Sequence, residues 1–295
     1  MNAVLYIVTV IIWGTTWLAI YWQLGDNVPV VVSVFYRFAL ASALLLPFML
    51  LLNKEKVTNL KDHGFLILFG ACLFCFNFIC FYNATRYIPS GLVSVVFSLA
   101  TIYNAVNGRI FYKEKISQKV VLATLIGFVG LSLLFWTEVQ GKADTKKLFL
   151  GVGLAALGTL FFSFGNMISR RNSQAKIKPT LASAWGMFYG SIILIIIIVL
   201  TNTEIVIPST QQYYLALVYL SVFGSIVAFT TYLTLIDRIG ANRAAYATVI
   251  FPIIALILSS IFEGYLWTWT SYIGLVFTLG GIVLINYKPT SKKEE

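Results

Sequence analysis

Residues 87–91 read Tyr-Ile-Pro-Ser-Gly and residues 238–242 read Arg-Ile-Gly-Ala-Asn, each a short breaker between two long apolar runs. Proline lacks a backbone donor and glycine loosens the backbone, so a helix stops at either. The two stretches lie 151 residues apart, and the same offset sets Gly130 on Gly281. An offset near 149 sets Trp13-Gly14 on Phe162-Ser163. The chain therefore reads as two copies of one unit, related by order and spacing more than by identical letters.

Working outward, ten apolar runs emerge: 3–22, 30–52, 64–83, 88–111, 119–136, 149–169, 180–201, 212–236, 241–262 and 269–287. About 20 residues of helix cross a bilayer. With 59% hydrophobic residues, only 11% charged and a mean hydropathy of +0.86, no part of the 295-residue chain has the composition of a soluble domain. The expected fold is an all-α membrane protein of ten transmembrane helices. Five helices per copy is an odd number, so the second copy enters the membrane from the opposite side and the repeats are inverted. The first repeat spans 1–140; the second, with a basic tail, spans 141–295.

Charge orients the bundle. Counted over alternate loops and the tail, fifteen Lys and Arg fall on one side and four on the other. Cytoplasmic loops carry the basic excess, which puts both termini in the cytoplasm. The net charge of +10 is thus a topology signal, and no nucleic-acid partner is expected. The first run has no basic segment before it and no small-residue cleavage site after it, so it should remain a transmembrane helix. Cys72, Cys75 and Cys80 share one apolar run, while the only histidine, His63, reads as a loop residue. A zinc site needs about four ligands, so neither a metal nor a cofactor is expected and the thiols read as packing.

The eleven Asp and Glu all fall in loops, tails or run ends. Ion coupling commonly uses an intramembrane carboxylate, so a facilitator or exchanger is favoured, although a carboxylate at a loop end or the substrate itself could carry a proton. Arg37 is the charge that sits clearly inside a run. It could attract a substrate carboxylate or hydrogen-bond to carbonyls of a neighbouring helix. Trp13, Thr16 and Trp17 follow i, i+3, i+4 spacing and share a face near the midplane of the first helix, with Gly14 small enough for a neighbour to come close. They read as a rigid wall with one polar contact. In the third run Asn77 stands out, and in the fourth Ser94, Ser98 and Thr101 share a face that Asn104 and Asn107 extend. In the sixth, Ser163 and Asn166 do the same. Ser221, Ser225 and Tyr232 mark the eighth run, and Tyr246 and Pro252 the ninth. Hydroxyls and amides also serve as glue between membrane helices, so ligand contact and packing both stay open for this set. The Gly186-x-x-x-Gly190 pair is open to packing within the chain or in a homodimer.

The order of these features resembles a known family. A Trp-Gly-Thr motif in the first helix, Arg37-Phe38 in the second and a Glu-Lys-Ile-Ser turn at 114–117 look like the EamA-type branch of the drug/metabolite transporter superfamily. The likeness runs over essentially the whole chain. It implies export or exchange of small metabolites, often amino acids and related compounds, across the bacterial inner membrane, through a cavity lined by helices one, three, four, six, eight and nine. The partners it implies are a small-molecule substrate and the lipid bilayer. The second half departs from the pattern, with Phe162 where Trp13 would repeat. Nucleotide-sugar and sugar-phosphate carriers share the architecture, but a phosphate wants several basic groups and the cavity is expected to offer only Arg37. A membrane-embedded enzyme would need a positioned acid, base or metal, which the membrane-depth residues do not supply. A channel is separable by its unsaturable flux.

Overall fold

The computed structural model describes residues 2–52, 57, 59–116, 118–140, 144–240, 244 and 247–286. Among them there are helices and loops and no strand. Ten spans follow in order: α1 (Asn2–Leu24), α2 (Val30–Leu51), α3 (Leu60–Thr85), α4 (Ser90–Tyr112) and α5 (Gln118–Gln140) in the first half. The second half holds α6 (Thr145–Gln174), α7 (Pro179–Leu200), α8 (Gln211–Ile239), α9 (Ala247–Phe262) and α10 (Trp269–Asn286). Seven of these are long and apolar enough to cross a membrane by length and composition alone, and shorter apolar stretches, Val121–Trp136 and Ile250–Phe262, lie within α5 and α9.

The ends form where the sequence offers caps. Pro29 and Pro89 each precede a first helical residue, Pro179 opens α7 at its first turn, and Gly240, at φ 82°, ends α8. Side-chain oxygens of Asn59, Asp144 and Thr210 accept from backbone N–H groups in the first turns of α3, α6 and α8, satisfying donors that a helix start leaves free. The caps explain two departures from the hydropathy reading. The Asp144 cap starts α6 four residues early, at Thr145, and the Asn59 cap draws His63 into the first turn of α3, not a loop. There His63 Nδ1 meets the Tyr189 hydroxyl of α7 at 2.8 Å.

The repeat is written in the backbone. A π-helical turn interrupts α3 at Ala71–Phe76 and α8 at Val222–Val227, again 151 residues apart. Helix α4 is broken at Ser98–Leu99, and its counterpart α9 carries Pro252. The helix contacts obey the same two-fold exchange. The main partners of α1 are α8 and α9, and those of α6 are α3 and α4; α2 pairs with α7, α4 with α9, and α5 with α10. Each of these contacts joins one half to the other, so the core sits at the interface between the repeats. The α5–α10 pair packs mainly on itself, at the edge.

Small residues set the closest approaches. A Cβ on Gly70 of α3 would lie 2.5 Å from the Gly186 carbonyl oxygen and 2.9 Å from the Gly190 nitrogen of α7. The glycine pair noted in the sequence is therefore used within the chain. Backbone atoms cannot swing aside as a side-chain end can, so Gly70→Ala forces the two helices apart. We expect a loss of about 1–3 kcal/mol, the usual range for overpacking, read as a lower melting temperature in detergent. An unchanged melting temperature would show that α3 and α7 separate freely.

Candidate functional site

At the crossing of the two halves lies a small cavity of about 30 Å³. Helix α1 presents Trp13, Thr16, Trp17 and Ile20 to it, a repeat of three and four residues that keeps one face of the helix inward. Helix α2 adds Arg37, and α3 adds Asn77, Phe78 and Phe81 from the turns just after its π segment. One phenylalanine each comes from α4 (Phe97), α6 (Phe162), α8 (Phe229) and α9 (Phe251). The wall is aromatic and interlocked. Trp13 meets Tyr232 at 4.7 Å between ring centroids and Phe229 at 5.3 Å, and Trp17 meets Phe81 at 5.4 Å. Edge-to-face and tilted pairs dominate, the arrangement that ring quadrupoles prefer.

Arg37 is the cation of this cavity and is 1% exposed. Its Nε donates to Ser225 Oγ at 2.9 Å and its Nη2 to the Gly224 carbonyl at 3.2 Å. Both acceptors lie in the π turn of α8, Val222–Val227. The guanidinium also lies 4.4 Å from the Phe78 ring centroid. No carboxylate pairs with it among the described residues; the Tyr82 hydroxyl lies beside the guanidinium, while Nη1 makes no hydrogen bond of good geometry. Asn77 is fully buried, with neither amide atom partnered. Thr16 is already committed, donating to the Trp13 carbonyl at 2.8 Å.

Of the side chains singled out from the sequence, Trp13, Thr16, Trp17, Arg37 and Asn77 are brought together here. The others are placed elsewhere. Ser94 and Ser98 turn back onto carbonyls of their own helix, at Gly91 and Val95. Such back-bonding bends helices, and here it precedes the break in α4. Thr101 is buried beyond that break. Ser163 accepts from Asn107 at 2.8 Å, and Asn166 donates to Asn104 at 3.3 Å, so the polar stripes of α4 and α6 zip together along one seam. That seam ends in an ion pair, Arg170 Nη1 to Glu114 Oε1 at 2.6 Å. Tyr246 and Asn242 lie outside the described residues. The remaining lining residues, Ile20 and Phe78 through Phe251, look like any core aromatics or aliphatics in the sequence. A signal did exist for two of them: Phe78 and Phe229 are 151 residues apart, the offset of the repeat.

Polar contacts also tie the ends of the spans. The Asp26 carboxylate, between α1 and α2, accepts from the backbone N–H of Ser209 at 2.9 Å and of Thr210 at 3.0 Å, where α8 begins. Partial desolvation pushes its pKa up, but these hydrogen bonds outweigh that and hold it at about 2. At the same end, Glu263 follows α9 and accepts from the Ser90 N–H at 2.8 Å and from the Ser90 hydroxyl, at the start of α4. Burial holds the Glu263 carboxyl above its ordinary value. A carboxyl with a raised pKa in the fold contributes stability that is present below the ordinary value near 4.5 and lost as the pH rises through the raised one. We expect the melting temperature to fall over that window, and Glu263→Gln to remove this part of the pH dependence. An unaltered profile in the variant would exclude Glu263 as its source.

A model of the EamA-like transporter family matches residues 1–136 and again 149–287. The chain is 24% identical over 299 residues to the uncharacterized transporter YvbV of Bacillus subtilis, covering 99% of this chain and 93% of that one. It is 25% identical over 279 residues to the uncharacterized inner membrane transporter YedA of Escherichia coli K12, covering 94% and 87%. A Salmonella typhimurium protein named as a probable amino-acid metabolite efflux pump is 21% identical over 292 residues, covering 95% and 93%. One solved crystal structure superposes with a TM-score of 0.69 over 96% of this chain and 95% of its own, at 17% identity, a likeness of fold alone.

Proposed function

The chain belongs to the EamA-like transporter family, and on that premise we propose that it carries small, partly apolar metabolites such as amino acids and related compounds by alternating access, as an exporter or exchanger. The observation that carries this reading is the cavity at the crossing of two inverted repeats, where aromatic walls surround Arg37 and Asn77, buried side chains with unpartnered polar atoms. Sites of this kind, built at midplane from interrupted helices, suit a carrier whose halves rock about a fixed centre. The π turns and the break in α4 supply the interruptions. The charge asymmetry of the loops supports a bacterial inner-membrane carrier with both termini in the cytoplasm. A phosphate-bearing substrate fits less well, because Arg37 is the one cation in the lining among the described residues.

Counterflow tests the proposal. Purified protein in liposomes should give saturable uptake of a labelled amino acid or related metabolite, accelerated by unlabelled solute inside. Flux that rises linearly with concentration and shows no such acceleration would identify a channel.

A further inference from the structure

Three buried polar atoms in the lining side chains have no partner: Nη1 of Arg37 and both amide atoms of Asn77. Such atoms also occur elsewhere among the described residues, on Gln23, Thr101 and Ser221 for example, and each calls for an explanation. The Arg37 and Asn77 atoms are set apart because they belong to two side chains that line one cavity. Two N–H donors, one of them charged, match the two oxygens of a carboxylate, and the Asn77 carbonyl remains to accept from a donor beside it. From this we infer that the cavity takes an organic monoanion, a carboxylate on an apolar or aromatic body, with Arg37 and Asn77 holding the head group. The inference rests on the carrier reading above, keeps its small, partly apolar metabolites, and replaces amino acids, which are zwitterions at neutral pH, with monoanions among the related compounds.

Charge balance argues for a monoanion in particular. Among the described residues Arg37 enters the site without a counter-ion, and no Asp or Glu of that set lines the cavity. One negative charge makes the filled site neutral, which lowers the cost of carrying both groups through a low-dielectric centre. A zwitterion would bring an ammonium that must be desolvated. Only ring faces and the Asn77 carbonyl would meet it, a weaker set than the carboxylate such a group normally demands. A cation would add repulsion, and a dianion would leave one charge unmatched. The other lining groups are Ile20 and aromatic rings, with the Thr16 hydroxyl already bonded to its own helix. They suit the apolar body and offer nothing to a second polar group. With a cavity of about 30 Å³, the body enters as the aromatic wall parts.

Four ligands with one aromatic body separate the cases: indole-3-propionate as anion, L-tryptophan as zwitterion, tryptamine as cation and indole-3-propionamide as the neutral form. Binding to the purified full chain is read by calorimetry at neutral pH, together with 3-phenylpropionate and hexanoate. We expect the anions to bind at least about tenfold tighter than the other three forms, a difference of about 1.4 kcal/mol. In Arg37→Gln that preference should vanish. In Asn77→Leu, which keeps the charge, the anions should weaken several-fold while indole-3-propionamide is unchanged. Equal or tighter binding of L-tryptophan, a preference that survives Arg37→Gln, or no binding by any of the three anions would each overturn the proposal. Counterflow of the same ligands keeps the two readings apart. Saturable transport of the zwitterion in preference to the anion upholds a carrier and rejects the charge class. Arg37-dependent anion binding without any saturable flux upholds the charge class and rejects the carrier.

Discussion

Replacing Arg37 with methionine is expected to abolish saturable transport while leaving the melting temperature unchanged or raised. The two effects part company because they draw on different interactions. In the fold, Arg37 is a buried charge held by the Ser225 hydroxyl, the Gly224 carbonyl and the face of Phe78, with the Tyr82 hydroxyl beside it. Removing a buried charge relieves several kcal/mol of desolvation, and replacing such groups by apolar ones is often neutral or stabilising. The opposing loss is the Gly224 carbonyl left without its donor, about 1–3 kcal/mol. These nearly cancel. At the site, by contrast, nothing replaces the guanidinium, and truncating one partner of a desolvated charge contact costs about 2–5 kcal/mol of binding, or roughly 30- to 4,000-fold in affinity. Transport assayed beside thermal unfolding distinguishes the outcomes. If Arg37→Met melts well below the parent and loses transport in proportion, the residue is a brace for the π turn of α8. If transport keeps its affinity, Arg37 does not touch the substrate.

Trp13→Ala carries the second large effect, this time on stability. The Trp13 indole meets rings from four other helices: Phe97 of α4, Phe162 of α6, Phe229 and Tyr232 of α8 and Phe251 of α9. Three of those helices belong to the second half, so the side chain is a bolt between the repeats. In a bilayer the hydrophobic effect does not drive helices together, and packing contacts carry the association. Truncation opens a void whose lining loses its contacts outright. Losses of about 3–5 kcal/mol accompany removal of a buried Trp or Phe side chain. Trp13→Phe, which keeps a ring in place, should recover most of it. Melting temperatures of both variants in detergent and in lipid discs provide the check, and an unchanged value for Trp13→Ala would mean that the surrounding rings close over the gap.

The two predictions also mark where the sequence stops being legible. Hydropathy alone places ten spans, because a bilayer demands about 20 apolar residues and internal satisfaction of every backbone group, which leaves helices as the only reading. Breakers at Pro89 and Gly240 carry the repeat, and the odd helix count makes it inverted. The midplane tryptophans and Arg37 stand out because such side chains are costly or unusual there. Serine and threonine do not stand out in that way. Ser94 and Ser98 follow the same helical spacing as a true lining would, yet their hydroxyls are spent on carbonyls one turn back. The stripe on α6 faces the stripe on α4, with Asn107 bonded to Ser163 and Asn166 to Asn104. A periodic pattern says which residues share a face, not what that face meets. The π turns were equally invisible, since no residue type requires one, although both leave their mark at the repeat offset.

The sequence by itself determined that this chain crosses a membrane as helices in two inverted halves, because the bilayer imposes that solution on any such run of apolar residues. Only the tertiary structure decided that Arg37 and Asn77 meet in one cavity, since they come from different helices and no local rule joins them. It also decided that five phenylalanines from α3, α4, α6 and α8 close around those two side chains with Phe251 of α9 completing the wall. In the sequence these are ordinary apolar residues. The crossing of the two repeats is what turns their faces inward.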